Sequence, residues 1–306
     1  MPCYLCGGAD IIQRAGGVRG HPEIKVMQCR DCSLVFLDQQ CTDDDYYARN
    51  QMLGPDFFSE ARRPAGTLAE QLSAFRSEWG LQVARRLEFV QSKLIGRDVL
   101  DFGSGHGQFL KAAQPLARSV TGVELEEQVR EIYVGHGIRL FRTLQELDEA
   151  DDSGAKRFDV ITAFHVLEHL RDPLVVLRGL GDHLAARGRL VVEVPNADDA
   201  LLTIYQCPAF MKFYYVGHLY LFNAHTLRLL AQRAGFEVDF IRGVQRWPLS
   251  NTLYWLSRGE PGGHQHWGRF LDNELLQRAY ADTLAACGAT DTLTAQLSRP
   301  DPAAGI

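Results

Sequence analysis

Three groups of residues in this 306-residue chain have the types and spacing to do chemistry. Cys3-x2-Cys6 and Cys29-x2-Cys32 form two thiol pairs separated by 22 residues. Each pair sits on a tight turn, and two such turns can close around one tetrahedral Zn2+. Residues 99–107 read Val-Leu-Asp-Phe-Gly-Ser-Gly-His-Gly, with Asp101 followed by glycines at 103, 105 and 107. Residues without a Cβ let the backbone turn sharply and lie close to a ligand. The third group is rich in imidazole and phenol: His165, Glu168 and His169, then Tyr214, Tyr215, His218 and Tyr220. Histidine titrates near neutrality, so it suits removal of a proton from a hydroxyl or an activated carbon acid.

These residues need elements to hold them. Asp98 to Phe102 reads as a short strand and His106 to Gln114 as the start of a helix. A strand, a glycine turn and a helix are the parts of an α/β nucleotide site. The dinucleotide fingerprint places its third glycine one residue later than this chain does. Gln108 stands at that place, which argues against a nicotinamide or flavin cofactor. Ser119 to Glu124 reads as the next strand, its terminal carboxylate 23 residues after Asp101. A carboxylate there can accept two hydrogen bonds from vicinal hydroxyls. Phe158-Asp-Val-Ile-Thr-Ala-Phe-His-Val-Leu-Glu-His-Leu-Arg-Asp-Pro173 and Gly188-Arg-Leu-Val-Val-Glu-Val-Pro-Asn196 read as two more strands with the loops that follow them.

In this order the pieces resemble the class I S-adenosylmethionine-dependent methyltransferases, whose first motif reads (D/E)-x-G-x-G-x-G. The resemblance implies that Asp101 anchors the methionine amino group and that Gly103, Ser104, Gly105 and Gly107 lie against the cofactor. It implies that Glu124, with Leu125 beside it, holds the ribose, and that Phe164 and His165 border the methionine and adenine. The region where the family often reads the adenine amino group, Leu140 to Leu144, carries no acid, so backbone groups are expected to do so.

Four thiolates around one metal leave no coordination position open, so the expected zinc is structural. Four free thiols or a redox pair are the alternatives. Residues 1–40 hold too few apolar residues to fold alone, and metal ligation would supply the missing stability. The same arrangement resembles the head of bacterial methyltransferases akin to the deoxysugar C-methyltransferases and their O-methylating relatives. Cys41, Cys207 and Cys287 are scattered and are read as core or surface residues.

Lysine and arginine number 32 against 38 acidic residues, a formal net charge of −6. A phosphate-backbone footprint needs a basic surface, so no nucleic-acid partner is expected. No run of 18 apolar residues occurs, so neither a membrane-spanning helix nor a membrane partner is expected. The first residues lack the features of a signal peptide, and the expectation is a cytoplasmic protein with reduced thiols.

The expected organisation is a zinc-binding module over 1–40, a connector and long helix over 41–96, a methyltransferase domain over 97–298 with an insertion at about 243–290, and a tail over 299–306. Leu68, Leu72, Phe75, Trp79, Val83, Leu87, Val90 and Leu94 recur by threes and fours, one face of a long helix. The fold expected is α/β: a doubly wound, seven-stranded, mostly parallel sheet beside a small N-terminal zinc ribbon. The last strand, Asp291 to Leu297, is expected to lie antiparallel beside Phe236 to Arg242. Within the insertion, Gly259 to Gly268 reads as a loop and Arg269 to Cys287 as a helix. Tyr46 and Tyr47 of the connector face either substrate or a neighbouring domain.

Tyr215 and His218 align with the first and last residues of the Tyr-His-Glu-His segment of the sugar C-methyltransferases. Val216 and Gly217 replace its middle pair, which removes half of the polar set. His218 is read as the base and Tyr215 as orienting the acceptor. His169 completes the candidate catalytic set, although its Glu-His pair also suits a structural role. The acceptor is read as a hydroxyl of a nucleotide-linked sugar, a surface glycan or another small polar metabolite. The alternatives are a quinone- or polyketide-like aromatic hydroxyl, or a non-catalytic module that binds the cofactor and recruits partners through its zinc ribbon.

Overall fold

Apolar residues that run unbroken along a strand need cover on both faces, the mark of a parallel sheet with helices on each side. Val99–Leu100, Val160–Ile161 and Leu190–Val192 are such runs, and all are buried. The computed structural model describes residues 2–48, 68–150 and 157–300, apart from the side chains of 68–79. The rest of the connector (49–64), the side chains of Leu68, Leu72, Phe75 and Trp79, and the tail beyond residue 300 lie outside the described residues.

In chain order the strands are β1 (Ile11–Gln13), β2 (Val26–Cys29), β3 (Val35–Leu37), β4 (Asp98–Phe102), β5 (Ser119–Val123), β6 (Arg139–Phe141), β7 (Phe158–Phe164), β8 (Leu184–Pro195), β9 (Tyr220–Leu221), β10 (Glu237–Val244) and β11 (Thr292–Ser298). Seven of them form one sheet in the order β10-β11-β8-β7-β4-β5-β6. β11 runs antiparallel to both neighbours, with Ala295 level with Val192 on one side and Ile241 on the other. β4 pairs in parallel with β5 and with β7, so the strand order reverses direction at β4. Ligands of open α/β sheets bind beyond the carboxyl ends of the strands at such a switch point.

Alternation along β4 divides the core, because successive side chains point to opposite faces. Val99 packs with Val90, Leu94, Phe109 and Leu110. Leu100 faces the other layer with Ile161, Leu177, Leu190 and Leu230. The helix Leu68–Leu94 closes the first layer through Val90 and Leu94, whereas Leu81 on its far side is 73% exposed. Asp172 caps the helix Pro173–Asp182 by accepting from Val175 N at 3.1 Å, with Pro173 in its first turn. Asn223 and Thr226 form a capping box on the helix Ala224–Arg233.

The insertion is more helical than its composition suggests. A helix spans Leu249–Arg258, the stretch expected as a loop carries one short helical turn, Gly263–His266, and a second turn, Gly268–Leu271, opens the stretch expected as a helix. Asn251 Oδ1 accepts from the Gly262 and Gly263 amides, supplying partners that a glycine-rich loop would otherwise seek in water. A Cβ on Gly263 would lie 2.2 Å from the Ser250 carbonyl, so glycine there permits close packing rather than flexibility. The last helix starts at Glu274, capped by Asn273, later than its periodicity suggests.

The N-terminal strands form a second sheet, β1-β2-β3-β9, whose fourth strand comes from far along the chain. Val35 is level with Leu221 and Phe36 with Tyr220. Among the described residues no helix is long and apolar enough to cross a membrane.

Candidate functional site

The glycine turn follows β4 because its backbone adopts angles that side chains resist. Gly103 has φ +68°, and a Cβ there would meet Val166 Cγ2 at 2.4 Å. Gly107 has φ +67° and caps the helix Gln108–Ala113, which therefore starts two residues later than expected. Gly107 faces the Tyr133 ring rather than the cavity described below. Gly103 N donates to Val123 O at 2.8 Å, which stitches the turn to the end of β5. The Tyr133 hydroxyl braces the turn from below, 2.7 Å from Ser104 Oγ and 3.0 Å from Gly105 O.

Two carboxylates meet this turn. Asp101 is buried and accepts from Thr162 Oγ1 at 2.6 Å. Burial pushes it up to about 7, against the opposing pull of Thr162 and Arg86. Glu124, just past β5, accepts from Gly105 N at 2.7 Å and Glu126 N at 3.1 Å. Burial raises it while those backbone amides hold it down. A third acid, Glu126, escapes a motif-based reading. Neither of its carboxylate oxygens has a hydrogen-bond partner among the described residues. Burial and Glu124 push it up to about 7.

One cavity of about 1500 Å3 joins the sequence-predicted groups. Asp101, Gly103, Ser104, Gly105, Glu124, Leu125, Phe164 and His165 line it, and so do Tyr47, His169, Tyr215 and His218. At the second end the rings of His169 and His218 stand 4.9 Å apart, and those of Tyr215 and His218 5.2 Å. Tyr47 Oη lies 2.9 Å from His169 Nδ1 and donates to the Gly217 carbonyl at 3.1 Å, which His169 Nδ1 also approaches at 2.9 Å. Tyr46 and Tyr215 bring their hydroxyls to 3.2 Å. Burial, then His169, pushes His218 down to about 3, so it is neutral at physiological pH.

Glu168 is fully buried, with Oε1 3.0 Å from His165 Nδ1. Burial opposes its ionisation, but the His165 contact prevails and holds it near 2. Glu168, His169 and His218 each offer one ligand-type atom within 4.8 Å of the others.

The wall of the cavity also holds an ion cluster that sequence reasoning missed. Glu193 of β8 is buried between Arg85 and Arg86 of the long helix. Arg85 Nη2 reaches its two oxygens at 2.9 and 2.8 Å, and Arg86 reaches Oε1 through Nε at 3.0 Å and Nη2 at 2.7 Å. Burial works against the charge, but Arg86, then His165 and Arg85, keep Glu193 well below the usual carboxylate range. Arg86 also lies over the Phe164 ring at 4.7 Å. His165 has φ +58°, a strained backbone for a residue with a side chain. The signal in the sequence was one glutamate inside the apolar run Leu190-Val-Val-Glu-Val194, since a buried charge needs partners.

The four N-terminal cysteines converge. All four sulfurs lie within 4.8 Å of one another, with Cys3–Cys32 at 3.6 Å and Cys6–Cys29 at 3.5 Å. Four sulfurs bonded tetrahedrally at 2.3 Å would stand about 3.8 Å apart. A disulfide needs about 2.05 Å. Gly8 N donates to Cys6 Sγ at 3.3 Å, as an amide does toward a thiolate on a metal-binding turn. This donor set fits a tetrahedral metal. Cys41, Cys207 and Cys287 stand outside the cluster.

Comparison with known proteins accords with this geometry. A family model described as a methyltransferase domain matches residues 68–239. The ubiquinone biosynthesis O-methyltransferase of Xanthomonas axonopodis pv. citri is 27% identical over 190 residues, covering 57% of this chain and 78% of that protein. Its counterpart from Bordetella avium is 28% identical over 184 residues, covering 56% and 76%. Among solved structures, magnesium protoporphyrin IX methyltransferase from Synechocystis PCC 6803, with bound S-adenosylhomocysteine, superposes with a TM-score of 0.50 at 12% identity. That match covers 84% of this chain and 98% of the other, a likeness of fold. The chain belongs to the methyltransferase-domain family and is a class I S-adenosylmethionine-dependent methyltransferase.

Proposed function

We propose that the enzyme methylates a hydroxyl on a small aromatic acceptor. The observation that carries this reading is the continuous cavity, which runs from the carboxylates at the glycine turn to the ring cluster of Tyr47, Tyr215, His169 and His218. S-adenosylmethionine, when bound, supplies an electrophilic methyl group. Asp101 would hold its amino group and Glu124 its ribose, while Gly103 and Gly105 leave the backbone room to lie alongside. Tyr215 would orient the acceptor, and His218 would take the proton that its hydroxyl gives up when the methyl leaves sulfur for oxygen, the sulfur departing as neutral S-adenosylhomocysteine. Alignment of the two reactants supplies much of the acceleration.

The weak basicity of His218 favours an acidic acceptor. Burial holds it at about 3. A phenol releases its proton near pH 10, as tyrosine does. An aliphatic hydroxyl resembles water, at about 16. A weakly basic imidazole shares the first proton far better than the second. The relatives named as ubiquinone biosynthesis O-methyltransferases point the same way. A nucleotide-linked sugar is the second reading, supported by the likeness of Tyr215 and His218 to the sugar-methylating segment. We also propose that Cys3, Cys6, Cys29 and Cys32 hold a structural Zn2+.

The test is turnover with S-adenosylmethionine across two panels, phenols such as protocatechuic and caffeic acids and nucleotide-linked sugars, read as S-adenosylhomocysteine release. The expected result is release with one or more phenols. Release only with sugars would overturn the aromatic reading.

A further inference from the structure

We infer that the four-cysteine module positions the acceptor end of the cavity, with its metal locking segment 211–222 in place and Tyr4 acting as the positioning residue. The inference rests on the zinc proposal and gives the module a task inside the enzyme.

The segment that carries Tyr215 and His218 is held by the module at both ends. Before Tyr215, Gly17 N donates to Met211 O at 3.1 Å and Arg19 N donates to Tyr214 O at 2.9 Å. The fit is close there, since a Cβ on Gly16 would lie 2.3 Å from the Met211 carbonyl. After His218, Leu37 N donates to Leu219 O at 3.1 Å, and β3 pairs with β9. β3 begins three residues after Cys32, so the metal knuckle sets the start of the strand that β9 joins. Cys3, Leu5, Cys29, Cys32, Leu34 and Phe36 share one buried cluster with Leu219, Tyr220 and Phe222.

Tyr4 stands between two of the cysteines and reaches both histidine-bearing segments. Its hydroxyl donates to Asp172 Oδ1 at 2.5 Å and accepts from Leu174 N at 2.9 Å. Asp172 caps a helix three residues after His169, so this contact fixes where that loop ends. The Tyr4 ring lies 5.1 Å from the Tyr220 ring, two residues after His218. The glycine turn, in contrast, takes its bonds from Val123, Glu124 and Tyr133. Loosening the module therefore frees the acceptor end and leaves the cofactor end formed.

The experiment is hydrogen exchange on the full chain, before and after chelation with EDTA, together with Tyr4→Phe. Metal content and S-adenosylhomocysteine affinity are measured on each sample. Chelation is expected to raise exchange about tenfold or more in peptides covering 211–222 and 168–176, while 99–124 and the affinity change by less than about twofold. Tyr4→Phe is expected to keep its metal and the ring contact, and to raise exchange in 168–176. Acceptor KM is then expected to rise more than kcat falls. Protection unchanged in 211–222 after metal loss, or lost equally in 99–124, overturns the inference. A wild type purified without metal refutes the zinc proposal instead. Tyr4→Phe then decides the positioning role alone, and no change in 168–176 overturns it.

Discussion

The two ends of the cavity are built in opposite ways. At the glycine turn, most of the hydrogen bonds join residues of a single stretch of chain between Asp101 and Tyr133, with Thr162 of β7 added at Asp101. At the acceptor end, Tyr47 meets His169 across 122 positions, and His169 meets Gly217 across 48. A site made from one strand–turn–helix–strand unit is secured by its own backbone. A site assembled from distant segments is only as well placed as the packing that brings them together. The first arrangement suits a cofactor shared by many enzymes, and the second suits an acceptor that differs among them.

The largest expected effect breaks the acceptor end alone. His218→Ala should lower turnover toward the low end of the about 10²–10⁴-fold that a positioned base contributes, because burial leaves its imidazole weakly basic. S-adenosylhomocysteine affinity should stay unchanged, as read by calorimetry. Full activity would move the base elsewhere. Next is the wall that joins the two ends. Replacing Arg85 and Arg86 together by alanine leaves Glu193 buried without its two arginine partners, and should cost about 3–5 kcal/mol in urea unfolding. A loss below about 1 kcal/mol would show that the pair contributes no more than surface ion pairs do.

The smallest effect sharpens the cofactor end. Asp101, at about 7, sits above the ordinary aspartate value. The native state therefore keeps a proton that the unfolded chain loses between about pH 4 and 7, and this group's contribution to stability falls as pH rises across that window. Holding an ammonium requires the ionised form, so S-adenosylhomocysteine affinity should climb toward a plateau above pH 7, by at most about tenfold per unit. Asp101→Asn should flatten that climb. A slope that survives the substitution would assign it to Glu126, which is also raised to about 7.

The same contrast explains what could be read before folding. Asp101, Gly103, Gly105 and Glu124, which line one cavity, could be grouped before folding because they stand at short, fixed offsets along adjoining strands. The parallel strands were legible from their apolar runs, and β11 from its place after a helical insertion. The tie between Tyr47, His169 and Gly217 was not legible, because no local pattern marks three segments that meet only in space. The pairing of Glu193 with Arg85 and Arg86 spans 108 and 107 positions, and only the solitary glutamate hinted at it. The helix Leu249–Arg258 was hidden by neighbouring glycines whose amides Asn251 satisfies.

The central claim is that the turn after β4 and the carboxylate after β5 form one cradle for the cofactor. Calorimetric titration of S-adenosylhomocysteine into the wild type and Glu124→Ala tests it most directly. The account predicts a single site in the wild type and a loss of about 1.5–3 kcal/mol in the variant, as for hydrogen bonds to a charged group. Equal affinity in the two proteins, or no binding to the wild type, would contradict it.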